Sequence, residues 1–464
     1  MDCQIREGSG AKFALLVHKK VIWLPIEPNQ MKPIALLALL TALSLVLPAQ
    51  NINKLVREKQ VEKTIRALAS DDMRGRSALV PEDINRAASF IEKQFRKAGL
   101  KPMEGLTGYR QEFQKIKLGT TSLKVVASGE QIPEDRLILS SKAEVVNLDP
   151  GTPMDTIGKS QPLFPTLSAF ERSGGDKIVW VAQAHAGEFK TAQRYLSRPK
   201  ILDPDEKATG STLYILGDER TNQVSVKAIQ SKETITMANI VGVLPGQSKA
   251  GESVVFSSHY DHIGIRPPVE GDSIANGADD DASGTTAVIL LANYFGKLKS
   301  NERSLIFVAF TAEEIGGFGS RYFSRQLDPG KIVAMFNIEM IGKPSKWGQN
   351  AAFITGFDRS DFGKILQKNL EGTSFQFHPD PYPEQNLFYR SDNATLARLG
   401  VPAHSISTDQ IPTDPYYHTV GDEVATLDMA NITAAIKGIA LSAKSIVDGT
   451  DTPTRVDTST VNPR

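Results

Sequence analysis

Cysteine is nearly missing from this chain: Cys3 is the only one among 464 residues. That excludes a disulfide framework and any thiolate metal site, so a bound metal would have to rest on histidine and carboxylate. Excess charge of either sign is missing too. Lys+Arg and Asp+Glu both total 53, for a formal net charge of zero, and no basic stripe or acidic tail stands out. A nucleic-acid partner is therefore not expected. The apolar run Ile34 to Leu47 falls short of the roughly 20 residues that a membrane-spanning helix needs.

That run follows Met31-Lys32-Pro33 and is closed by Pro48-Ala49-Gln50. A lysine, a short apolar core and a small residue at its end make a secretory signal peptide, with cleavage expected after Ala49. Met31 is the expected start, and residues 1–30 read as an upstream extension. No cysteine follows the run, so no lipoprotein anchor and no stable membrane anchor are expected after cleavage. The expected location is secreted or periplasmic.

The remainder divides by pattern. Residues 50–112 read as helices of a scaffold, with Ile84, Ala87, Ala88, Ile91 and Phe95 at helical spacing and Gly99 as a stop. Residues 113–235 read as an inserted β-rich domain: short runs such as Ser122 to Ala127 and Lys177 to Ala182 alternate with Gly, Pro, Asp and Ser clusters. Residues 236–448 alternate strand and helix. Strands are expected at Asn239–Leu244, Ser253–Ser258, Leu305–Phe310 and Ile332–Ile338. Helices are expected at Ala282–Leu298, Asp361–Leu370, Asn393–Leu399 and Asp428–Val447. Such alternation predicts an α/β fold, a three-layer sandwich around a mixed, mostly parallel sheet, with ligands bound at the carboxyl ends of the strands. The Thr-, Asp- and Pro-rich tail, 449–464, is expected to be disordered.

Polar residues collect where those apolar segments end. His259-Tyr260-Asp261-His262 follows one strand, Gly277-Ala278-Asp279-Asp280-Asp281-Ala282-Ser283-Gly284 precedes a helix, Thr311-Ala312-Glu313-Glu314 follows another strand, and Glu339 follows a third. Tyr416-Tyr417-His418-Thr419 comes late in the chain. Taken singly, each has an ordinary reading: a surface histidine, an N-cap with acids favoured by the helix dipole, a helix start. Together they put many carboxylates at one end of one core, where they would repel and desolvate unless cations neutralised them. Imidazole with carboxylate suits zinc, and a shared carboxylate can bridge two ions.

These motifs, His-x-Asp, Gly-Ala-x-Asp-x-Ala-Ser-Gly, Thr-Ala-Glu-Glu and Tyr-His-Thr in that order, resemble those of the secreted two-zinc aminopeptidases, metallopeptidase family twenty-eight. The resemblance runs from about Met237 to Val447. It implies the zinc-peptidase fold, two zinc ions and peptide substrates. It assigns His259 and Glu339 to one zinc, Glu314 and His418 to the other, and Asp280 to both. Glu313 matches the general base, Asp261 the group that orients His259, and Tyr417 a position that helps hold the oxyanion. Three positions depart from the family pattern: Glu339 where Asp is commoner, Asp281 where Asn is frequent, and Asn393 where many relatives have His. The inserted segment stands where many relatives carry a protease-associated domain. His262 is expected to be structural, His404 to lie in a core strand and His378 in a Pro-rich loop.

The function expected is an exported zinc aminopeptidase. The alternatives are a glutaminyl cyclase on the same fold with one zinc, a carboxypeptidase or dipeptidase, and a non-catalytic receptor-like module. The segment Asp380 to Arg390, with Tyr382, Phe388 and Tyr389, is a candidate pocket wall.

Overall fold

A computed structural model describes residues 52–460, together with the backbone of two short paired strands, Lys12–Val17 and Lys20–Pro25. The signal-peptide reading, 31–49, lies outside the described residues. Among the described residues, no helix is long and apolar enough to cross a membrane.

The apolar runs form the middle of a 12-stranded mixed sheet. Lys249–His259 lies between Arg303–Phe310 and Ile332–Ile338, parallel to both, and Ala403–Ser407 extends the parallel set. Val224–Leu244 flanks this group antiparallel on one side, and Ala351–Ile354 does so on the other. Successive side chains of a strand face opposite ways, and here both faces are covered. Val254, Phe256, Leu305, Phe307, Ala334 and Phe336 join one core with Phe95, Ile289 and Ile436 from three helices. Val255, Ile306, Val308 and Met335 join a second core with Phe323 and Leu396. Continuous hydrophobic runs, rather than alternating ones, are what a strand buried on both faces requires. The expected sandwich and its strands are present.

The expected helices are present with shorter bounds: Pro81–Lys97, Gly284–Leu298, Phe362–Asn369, Asn393–Ala397 and Met429–Ser442. Ile84, Ala87, Ala88, Ile91 and Phe95 are all buried. Gly284 opens its helix in direct contact with the sheet, since a Cβ there would lie 2.3 Å from the carbonyl oxygen of Ile338. That close approach sets the acidic loop 278–283 over the strand ends.

The segment expected to be β-rich is more than that. Arg110–Ala127 and Val224–Leu244 form a long antiparallel ribbon out of the main sheet. Between them lies a four-stranded sheet, in the order Leu137–Ser141, Ser211–Leu216, Lys177–Val181, Met154–Ile157. It carries two helices, Leu163–Ser173 and Ala186–Leu196, which bury Leu163, Leu167, Phe189 and Ala192. The turn-rich stretches around these helices masked their periodicity.

The tail also departs from expectation. Rather than being disordered, it packs on the core as far as it is described. Val456 is buried, Arg303 donates to the carbonyl of Asp451 at 2.6 Å, and Arg455 donates to that of Ile332 at 2.7 Å. Its composition is polar, but the partners are main-chain groups of the core, which composition does not reveal.

Arg76, at the end of the turn Asp71–Arg76, is fully buried. Its guanidinium donates to the carbonyls of Tyr260 (2.8 Å), Leu68 (2.8 Å), Asn276 (2.6 Å) and Gly277 (2.8 Å). The preceding Gly75 has φ +69°, and a Cβ there would lie 2.6 Å from the Ala275 carbonyl oxygen. One cation thus ties the N-terminal helices to the two loops that carry His259 and Asp280. Arg76→Ala should destabilise the protein by about 3–5 kcal/mol, because it leaves several buried carbonyls without a donor. The check is a lowered thermal midpoint of the purified variant.

Candidate metal centre and active site

The strand ends converge. His259 closes the Lys249–His259 strand and is fully buried. Its Nε2 lies 3.1 Å from Asp280 Oδ1 and 3.1 Å from Glu339 Oε1. His418 Nε2 lies 3.3 Å from Asp280 Oδ2 and 3.0 Å from Glu314 Oε2. Asp280 therefore turns one oxygen toward each imidazole, with a second acid beside each. The five residues expected from sequence, His259, Asp280, Glu314, Glu339 and His418, meet in one place.

This donor set fits metal ions better than it fits protons. A ring nitrogen has one N–H to give, yet His259 Nε2 faces two carboxylates at equal distance, and His418 Nε2 faces two as well. A cation at each position would take all three donor atoms. The charge balance points the same way. Burial opposes charge on His259, but Glu339 and Asp280 outweigh it and raise its pKa well above the ordinary value. Burial opposes charge on His418 too, and hydrogen bonds to Asp280 and Glu314 push it up to about 10. Burial likewise disfavours the Asp280 carboxylate, but the two imidazoles hold its pKa well below normal.

The surrounding groups fix the ligand geometry. His259 Nδ1 lies 3.1 Å from the backbone carbonyl oxygen of Asp261 and 3.9 Å from its carboxylate. The main chain of Asp261, rather than the expected carboxylate, is the nearer partner. The carboxylate instead accepts from the Glu313 backbone N–H at 3.1 Å. Asp281 is buried and accepts from the backbone N–H of Gly284 (3.0 Å), Met340 (3.1 Å) and His259 (3.3 Å). The departure from Asn at this position is thus absorbed by three main-chain donors. Glu339 accepts from Ser391, whose hydroxyl in turn accepts from Asn337 Nδ2 at 2.7 Å. Asn393 holds the same layer, accepting from Ser405 at 2.9 Å.

His262 corrects its sequence reading. Nδ1 lies 2.7 Å from Glu314 Oε1 and 3.8 Å from Asp280 Oδ2, and the ring is wholly buried. It belongs to the cluster, and Glu314 is held between His262 and His418. A histidine three residues after His259 faces the same centre because the strand ends at His259, beyond which period-2 reasoning does not apply. His404 is structural as expected: it is buried, its nitrogens lie 2.8 Å from Ser360 Oγ and 2.8 Å from the Thr355 carbonyl, and burial lowers it to about 4.

The comparisons with known proteins fall on the same segment. Residues 239–443 match the model of Peptidase family M28. Those residues form a peptidase family M28 domain. The chain is 32% identical over 206 residues to a probable leucine aminopeptidase of Arthroderma otae, covering 41% of this chain and 52% of that protein. It thus spans about half the length of that relative. It is 23% identical over 450 residues to aminopeptidase YwaD of Bacillus subtilis, covering 84% of this chain and 88% of that one. The fold is similar to that of an aminopeptidase from Aneurinibacillus sp. strain AM-1 (TM-score 0.54, 18% identity, 89% of this chain and 98% of that one). It is also similar to a zinc aminopeptidase from Bacillus subtilis (TM-score 0.51, 16% identity, 85% and 97%).

Two concavities adjoin the centre of the M28 domain. One, of about 540 Å³, is lined by Asp280, Glu313, Glu339, Tyr417 and His418, with apolar walls from Met340, Phe353, Leu387 and Ile411. Glu313, the expected base, has its pKa raised well above the ordinary value by burial, with Glu339, Asp392 and Glu314 adding to it. Tyr417 stacks on His418 at 3.9 Å, and burial beside Asp280 and Glu314 raises its pKa, so it stays a hydroxyl donor. Of the candidate wall Asp380 to Arg390, it is Leu387 and Arg390 that line this pocket, while Phe388 is buried in the core. The second concavity is an open cleft of about 1520 Å³ lined by His262 and Glu314 and by residues of the inserted unit.

The M28 domain holds one further acidic group. Oxygens of Asp279, Asp409 and Asp414 lie within 4.8 Å of one another. Lys343 Nζ is 3.1 Å from Asp279 and 2.6 Å from Asp414, so an ammonium already serves as counter-ion. Sequence spacing did not reveal this group, because Asp279 precedes one helix while Asp409 and Asp414 share a loop far along the chain.

Proposed function

We propose that this chain is an exported metallo-aminopeptidase that binds two zinc ions and removes N-terminal residues from peptides. The observation that carries it is the placement of Asp280 between His259 with Glu339 and His418 with Glu314. His259, Asp280 and Glu339 would hold one ion, and Asp280, Glu314 and His418 the other. His262 would orient Glu314 from behind. When bound, such ions supply Lewis acidity that polarises a carbonyl and acidifies water.

The chain's own groups divide the remaining work. Glu313, kept basic enough by burial to carry a proton, takes one from the attacking water and hands it to the leaving amine. The Tyr417 hydroxyl donates to the oxygen of the carbonyl under attack. The pocket beside these groups receives the N-terminal side chain against Met340, Phe353, Leu387 and Ile411. Paired ligand sets sharing one carboxylate favour this reading over a one-zinc cyclase, and the complete set disfavours a non-catalytic module. The relatives named leucine aminopeptidase point to an apolar side chain. Export is supported by the Met31 to Gln50 pattern alone.

One observation favours a carboxypeptidase instead: exposed Arg390 also lines this pocket, where it could meet an α-carboxylate. A panel of free and N-acetylated peptides, each as acid and amide, with and without chelator, separates the two. The aminopeptidase reading expects chelator-sensitive cleavage of free N-termini whether or not the C-terminus is amidated. Cleavage of acetylated peptides only when the C-terminus is free would assign the carboxypeptidase.

A further inference from the structure

We propose that the open cleft between the inserted unit and the catalytic sheet binds the departing portion of the peptide and selects chains that carry carboxylates there. This rests on the aminopeptidase reading and goes beyond it, because it assigns the inserted unit a task and names a substrate class.

The cleft borders the reaction centre, since His262 and Glu314 form part of its wall. Its other side is cationic. Lys142, Arg198 and Lys200 come from the inserted unit, and Arg266 from the Gly264–Val269 strand. Glu206 neutralises Lys142 at 2.6 Å. The other three have no carboxylate at ion-pair distance among the described residues. Arg198 lies over the Tyr195 ring at 4.9 Å, and Lys200 donates to Ser140 Oγ at 2.5 Å. Burial lowers the pKa of Lys200, and the charge of Glu171, which accepts from that same serine hydroxyl, partly offsets this. Arg198 and Arg266, facing one cleft with no ion-pair partner among the described residues, raise the local concentration of anions.

The pocket beside the paired ligands offers apolar walls, Met340, Phe353, Leu387 and Ile411, to the N-terminal residue. The open cleft is basic and suits carboxylate. A peptide bound across the centre, N-terminus in the pocket, would lay its second and following residues into the cleft. The carboxylate could come from an acidic side chain or from the C-terminus of a short peptide.

The test uses the full chain loaded with zinc. Pentapeptides Leu-Gly-Gly-Gly-Gly and Leu-Glu-Glu-Gly-Gly, each as free acid and as amide, are compared by kcat/KM at low ionic strength. Acidic peptides are expected to be preferred about 5- to 20-fold, mainly through KM, and the preference should shrink with added salt. Comparing acid with amide shows whether side chain or C-terminus is read. In Arg198→Gln/Arg266→Gln the ratio of acidic to neutral peptide should fall toward one, and in Arg198→Lys/Arg266→Lys it should be largely kept. Equal use of acidic and neutral peptides by the unaltered protein, or a ratio that survives in the double glutamine variant, would overturn the proposal. Hydrolysis of leucine 4-nitroanilide, which has no carboxylate to place in the cleft, reports on the aminopeptidase reading separately. If that substrate is untouched, the reading itself fails, whatever the peptides do.

Discussion

Glu313→Gln is expected to lower kcat by about 1000-fold while the protein keeps its metal and its fold. Glutamine has the size of glutamate but cannot accept a proton. The backbone N–H of residue 313, which holds Asp261 at 3.1 Å, is unchanged by the substitution. Glu313 is also one of several crowded acids whose burial, together with Glu339 and Glu314, opposes its charge. Removing that charge relieves repulsion, so the thermal midpoint should stay level or rise. The measurements are single-substrate kinetics with leucine 4-nitroanilide and zinc content by atomic absorption. A variant with ordinary turnover would remove Glu313 from the role of base.

Asp280→Asn should abolish measurable turnover, a loss of 1000-fold or more, and lower zinc content from two ions per chain toward one. The asparagine side chain keeps one carbonyl oxygen and replaces the other with an amide NH₂, which is a donor. Asp280 uses both oxygens, one toward His259 at 3.1 Å and one toward His418 at 3.3 Å, so one of the two places must lose a ligand. Its main chain is held independently, the N–H by Asp422 at 3.0 Å, so the loop should persist. By contrast, His262→Gln should leave both ions bound, with affinity for one of them weakened about 10- to 100-fold, the usual cost of losing a group that orients a ligand. Competition with a chelator reads both effects. Two ions retained at full affinity in Asp280→Asn would contradict a bridging role.

His259, Asp280, Glu314, Glu339 and His418 were all found because each stands at the end of an apolar run or in a motif that resembles a known family. Buried strands write themselves as continuous Val, Ile and Phe, and chemistry gathers at their carboxyl ends. His262 reads as structural because, taken alone, a histidine after a strand end carries no signal. Arg76 was passed over for a similar reason. An arginine before a serine in a turn reads as surface, and only the fold supplies the four carbonyls that bury it. The tail beyond Gly449 read as disordered from composition, yet the core offers Arg303 for it to bind.

By itself the sequence determined the α/β class, the order of the central strands and helices, and the residue types available for metal. Those properties are local, written in hydrophobic period and in the absence of usable cysteine. Tertiary structure alone decided which oxygen of Asp280 meets which imidazole, that His262 joins the centre, and that a pocket and a cleft lined by cations of the inserted unit adjoin it. Distances between side chains more than a hundred residues apart depend on how sheet, insert and loops pack. No pattern read along the chain contains them.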